Sequence, residues 1–67
     1  MTVFVNNDPF RFDKKVTLLE ILKQQELHEQ KGIAVAVNNM VISKANWTAQ
    51  HLNDQDKITI IKATQGG

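Results

Sequence analysis

Residues 16–32 read VTLLEILKQQELHEQKG, and this stretch decides the fold. Thr17 and Glu20 have the spacing of a capping box. The Thr hydroxyl can accept from the Glu20 backbone N–H while the Glu side chain reaches back. Val16 and Ile21 stand where a hydrophobic staple packs. Leu18, Leu19, Ile21, Leu22 and Leu27 follow as an apolar stripe. Lys31 suits the last turn, and Gly32 can take the left-handed stop position. The pattern predicts one amphipathic helix that ends near Lys31.

Strand signals lie on both sides. Residues 2–6 (TVFVN) are rich in β-formers. Asn7-Asp8-Pro9 reads as a turn, and Phe10-Arg11-Phe12-Asp13 alternates as a half-buried strand does. Beyond the helix, IAVAVN (33–38) reads as a buried strand with Ile33, Val35 and Val37 on one face. Asn38-Asn39 is a turn signal before the short strand Met40-Val41-Ile42. Residues 43–52 read as helical or irregular, anchored by Trp47 and Leu52. Asn53 to Asp56 is a turn, and Lys57 to Ala63 is a last strand with Ile58 and Ile60 facing in. The order β-β-α-β-β-β puts a helix on one face of a mixed sheet, and the long return lets the last strand lie parallel beside the first. The expected fold is α+β, a β-grasp domain over residues 1–63 with a flexible tail at 64–67.

Composition narrows the function. A chain of 67 residues is one domain or a piece of one. With no cysteine, it has neither a disulfide nor a thiolate metal site. A net charge of +1, spread along the chain, argues against nucleic acid as a partner. No apolar run approaches the roughly 18 residues of a membrane span. Met1-Thr2-Val3 does not open a signal peptide, so the expected location is cytoplasmic.

The last six residues read KATQGG. A glycine pair lets backbone thread a slot that would reject a Cβ. The Gly67 carboxylate, with an ordinary pKa of about 3.3–3.7, is ionised and a poor electrophile at neutral pH. It can attack the α-phosphate of ATP where a partner holds the two in line. The acyl-adenylate that forms can lose AMP to a sulfur donor, leaving a thiocarboxylate. Gly67 is then the modified group, with Gln65 and Gly66 threading the partner.

The whole chain resembles the ThiS family of ubiquitin-like sulfur carriers. The residues that carry the resemblance are VTLLEIL, AVAVNNMVI, Trp47, DQDKITII and the glycine pair. The resemblance implies a thiocarboxylate on Gly67, made by an ATP-dependent ThiF-type adenylyltransferase with a sulfur donor protein. It implies use by a ThiG-type thiazole synthase in thiamine biosynthesis. The chain itself would be a co-substrate and not an enzyme, with no tightly bound cofactor. Two departures stand out. Ser43-Lys44 replaces the family's frequent Pro-Arg, and Gln55 replaces a glycine where a turn needs positive φ. Two other readings stay open on the residues: the small subunit of molybdopterin synthase, and a ubiquitin-like interaction module or modifier without sulfur chemistry.

Other chemistry is poorly supported. His28 and His51 have no ligand-like spacing, which leaves no metal site. Asp54 and Asp56 belong to a polar turn, and Ser43 and Thr48 lack a His-acid arrangement. If Val3 and Val5 face the helix, Phe4 faces the other side of the sheet. By the same alternation Ile61 joins it, with Thr59 and Ala63. These four residues are a candidate docking patch for the activating enzyme.

Overall fold

Thr17 caps the helix as its spacing predicts. Its hydroxyl accepts from the Glu20 N–H at 3.2 Å, and Glu20 Oε1 accepts from the Thr17 N–H at 2.9 Å. In the computed structural model, which describes residues 1–62, helix α1 spans Leu18–Gln24. A helix of seven residues is not stable alone. Tertiary contacts hold this one. The free N–H of Leu18 donates to Gln50 O at 2.8 Å, and that of Leu19 to Trp47 O at 3.1 Å. With the Thr17 cap these satisfy the first-turn donors that a helix leaves orphaned. Leu18, Ile21 and Leu22 are buried beneath, and Val16 is buried with them, as the staple requires.

The helix stops seven residues before Lys31, earlier than the apolar stripe predicts. Glu26 takes a left-handed φ of 59°. Its N–H donates to Lys23 O at 3.0 Å, and the Leu27 N–H donates to Leu22 O at 2.8 Å. This pair of bonds is a Schellman stop. Leu27 reaches the core from outside the helix, which its place in the stripe had concealed. Gly32, the expected stop, instead has φ 76° at the entry to the next strand.

Five strands form the sheet: β1 Thr2–Val5, β2 Asp8–Arg11, β3 Ile33–Val37, β4 Met40–Ile42 and β5 Lys57–Lys62. Their order is β2-β1-β5-β3-β4. The outer pairs are antiparallel, while β1 and β5 run parallel. The last strand therefore occupies the centre of the sheet. Val3, Val5, Val35, Ile58 and Ile60 turn one face toward α1, and Trp47 and Leu52 close the core from the segment that returns to β5. That segment starts as a single 3-10 turn, Lys44–Asn46.

The first hairpin also differs from the sequence reading. Its loop is Asn6-Asn7, with φ 49° and 74°, and β2 begins at Asp8. The second hairpin repeats the device at Asn38-Asn39, with φ 50° and 72°. Positive φ at both loop positions is what a type I′ turn requires, and its twist matches that of the strands. Pro9 is thereby drawn into β2 opposite Phe4. β2 is an edge strand, where a residue without an N–H is tolerated.

Gln55, which stands where a glycine was expected, has φ 72°. Left-handed backbone costs a residue with a Cβ about 1–2 kcal/mol. Gln55→Gly and Glu26→Gly are each expected to stabilise the fold by about 1 kcal/mol, after allowing for glycine's greater freedom when unfolded. The sites share no partners, so the double variant should approach the sum. A urea midpoint that falls in either single variant would contradict the strain argument.

Candidate functional site

The site suggested by the sequence is built on β5, the strand that leads toward Gly67. Both Asn-Asn turns grip this strand. The Asn6 carboxamide accepts from the Ile60 N–H at 2.8 Å and donates to Ile60 O at 3.3 Å. Asn6 thus continues the parallel ladder past the end of β1, where a backbone partner is no longer available. From the other side, Asn38 Oδ1 accepts from the Lys57 N–H at 2.9 Å. The Asn38 N–H donates to Lys57 O at 2.7 Å. Asn38 Nδ2 donates to Asp56 Oδ1 at 3.0 Å, and Asp56 Oδ2 accepts from the Asn53 N–H at 2.8 Å. Asp56 is buried, and these bonds satisfy both of its oxygens.

The two clamps have a sequence signal that turn chemistry alone does not exploit. The tripeptide Val-Asn-Asn occurs twice, at 5–7 and 37–39. In each copy the first asparagine supplies the left-handed residue and the clamp. Reading Asn38-Asn39 as a turn captures only the first role, and Asn6 reads as part of the first strand.

Phe4, Thr59 and Ile61 lie on the sheet face away from α1. Phe4 is half-buried opposite Lys57, while Thr59 and Ile61 are exposed. Ile61 lies four residues further along β5 than Lys57, or roughly 13 Å at strand rise. Its direct cross-strand neighbour is Ala34, and Thr59 faces Ala36, which in turn faces Val41. The large exposed apolar side chains on this face are thus Ile61 and Val41, with Phe4 set apart across β5. Ala63, Gln65, Gly66 and Gly67 lie outside the described residues.

Two carboxylates are perturbed, both at the surface. Glu20 is held below its ordinary range chiefly by the Thr17 backbone N–H, with the Thr17 hydroxyl second. Asp54 is held below its range chiefly by the Thr2 N–H, which donates to its Oδ1 at 2.7 Å. A carboxylate whose folded pKa is depressed stabilises the fold above its unfolded pKa, and that contribution fades as pH falls toward the folded value. The urea midpoint is therefore expected to be level between about pH 7 and 5 and to decline below that. Glu20→Gln should give a shallower decline. Parallel curves for the two proteins would remove Glu20 from the account.

Among the described residues there is no cluster of three or more His, Asp or Glu side chains that could hold a metal ion. The only ion pair among the described residues is surface-lying, His28 Nε2 to Glu29 Oε1 at 3.7 Å. No helix among these residues is long and apolar enough to cross a membrane.

A mixed sheet with its last strand central and one helix across one face define a protein of the β-grasp class. The ThiS family model matches residues 3–67, and the chain belongs to that family. The crystal structure of the thiamine biosynthesis protein ThiS from Geobacter metallireducens is similar in fold, with a TM-score of 0.82 at 22% identity over 100% of each chain. An NMR structure of a thiamine biosynthesis protein from the same organism gives a TM-score of 0.77 at 22% identity, covering 100% of this chain and 88% of that one. No curated protein sequence matches the chain.

Proposed function

We propose that this protein is a sulfur carrier of thiamine biosynthesis whose reactive group is the Gly67 carboxylate. The observation that carries the reading is the family match, which runs through Gly66 and Gly67 and does not stop at the folded domain. The names of the two similar structures support the pathway. The chain acts as a co-substrate. Its carboxylate oxygen attacks the α-phosphorus of ATP on a ThiF-type adenylyltransferase, and pyrophosphate leaves. Sulfide then attacks the acyl carbon and AMP leaves. When a donor persulfide supplies the sulfur, a thiol must reduce the acyl disulfide to free the thiocarboxylate. A ThiG-type thiazole synthase consumes it. The described side chains contribute no acid, base or nucleophile to these steps. What the fold supplies is a clamped central strand that delivers the tail in one direction, with Gln65 and Gly66 threading the partner.

Intact mass tests the reading. After incubation with the adenylyltransferase, ATP and sulfide, the mass should rise by the difference between one sulfur and one oxygen. An unchanged mass, or an isopeptide bond to a lysine of another protein, would reject it. The exposed face at Thr59 and Ile61, with half-buried Phe4 farther off across β5, would dock the adenylyltransferase. Ile61→Glu is expected to weaken that complex about tenfold, as loss of an apolar anchor does, with the thermal midpoint unchanged. Equal affinity by calorimetry would exclude Ile61 from the interface.

A further inference from the structure

Beyond the apolar face, the sheet has a basic end. A groove there is lined by Lys31, Ile33, Val41, Ile42, Ser43 and Lys44. Lys62 stands beside it, opposite Ile33 in the β3–β5 register. Three of the chain's eight basic residues therefore meet at the strand end that leads to Gly67. Among the described residues no carboxylate lies within 4.0 Å of any of them, and Glu29 is engaged with His28. The other five basic residues share the chain with seven acidic ones.

We infer that this end of the sheet is a docking surface for a protein face rich in carboxylates, with Lys31, Lys44 and Lys62 pairing around a floor of Ile33 and Ile42. The inference rests on the sulfur-carrier reading for its choice of partner, which is the adenylyltransferase. Reach makes that choice. Five residues separate Lys62 from the end of Gly67, and a chain extends at most about 3.6 Å per residue. An active site that receives Gly67 therefore lies within about 18 Å of Lys62. The enzyme around that active site must face this end of the sheet. Charge complementarity then sets its character. A positive cluster on an apolar floor favours a face whose rim is acidic and whose centre is apolar. Nucleic acid would exploit the lysines but leave the apolar floor unmatched. Charges of this kind act mainly on encounter rate and register, and salt screens them.

The test uses the full chain and the adenylyltransferase, with affinity read by calorimetry without ATP and sulfur loading read separately by intact mass. At low salt, Lys31→Glu/Lys44→Glu/Lys62→Glu is expected to bind about tenfold or more weakly. Wild-type affinity should fall as salt rises toward about 0.3 M, and the variant's should not. All three side chains are exposed, so the circular dichroism melt should be retained. A control with the same charge change elsewhere, Arg11→Glu/Lys14→Glu/Lys23→Glu, is expected to bind nearly as wild type. Unchanged affinity in the first variant, or an equal loss in the control, would overturn the inference even if the wild type is loaded normally. Failure of wild-type loading at saturating concentration, with salt-sensitive binding intact, would reject the sulfur-carrier reading and leave the docking surface standing.

Discussion

Appending a single alanine after Gly67 is expected to abolish sulfur loading, lowering the rate by at least about 100-fold. In the proposed function the reacting group is the main-chain carboxylate, and one added residue moves it by roughly 3.3–3.6 Å along the chain. Misplacement of a reacting atom by about 1 Å already costs a factor of 10² where catalysis depends on positioning. The addition also brings a Cβ to the slot that, in the proposed function, glycine threads. Neither effect touches the folded domain, so affinity for the adenylyltransferase, measured without ATP, should change by less than twofold. The separation of binding from loading is the discriminating result. If the extended protein is loaded at the wild-type rate, the terminal carboxylate of Gly67 is not the acceptor. If binding is lost along with loading, the appended residue acts through docking, and the positional argument is wrong.

The sequence was most informative where a residue type does one job. Thr17 and Glu20 named the helix start, because a capping box satisfies two specific backbone donors. Alternation placed Val3, Val5, Ile58 and Ile60 inside and Ile61 outside, because the strand period is fixed at two. Trp47 and Leu52 are buried anchors of the return segment, as read. The helix end was not legible. Glu26 has no preference for the left-handed region, and it takes that φ because Leu27 gains a place in the core. A long-range gain of this kind leaves no local mark. The turn at residues 6–7 was displaced by Pro9, which usually marks a turn but here sits on an edge strand. At the candidate site, the glycine pair is plain in the sequence, and the chemistry proposed for it falls on residues outside the described ones. The clamps did not announce themselves, because Asn6 and Asn38 bond to residues 54 and 19 positions away. The basic end was equally hidden, since Lys31, Lys44 and Lys62 become neighbours only through the order of β4, β3 and β5.

Trp47→Ala should leave the domain largely unfolded at room temperature. The ring is 3% exposed, and it is the chain's only tryptophan. Truncating a buried tryptophan costs about 3–5 kcal/mol through lost transfer and the cavity left behind. The indole Nε1 donates to Ile42 O at 3.1 Å, so a further acceptor loses its partner at a cost of about 1 kcal/mol. The Trp47 carbonyl accepts from the Leu19 N–H, and displacing this segment would also uncap the short helix. A domain of this length has a total stability of only about 3–10 kcal/mol, so the loss is of the same order as the whole. Trp47→Phe separates the contributions. It retains most of the apolar volume and removes only the donor and the second ring, so a cost of about 1–3 kcal/mol is expected. Far-ultraviolet circular dichroism against urea is the measurement, because the substitution removes the tryptophan fluorescence. Trp47 also lines the basic groove, so the adenylyltransferase, by binding only the folded form, should restore part of the signal of the alanine variant. A loss below about 1 kcal/mol in Trp47→Ala would mean that the 3-10 segment and α1 hold together without this side chain, and the packing account of the short helix would have to be abandoned.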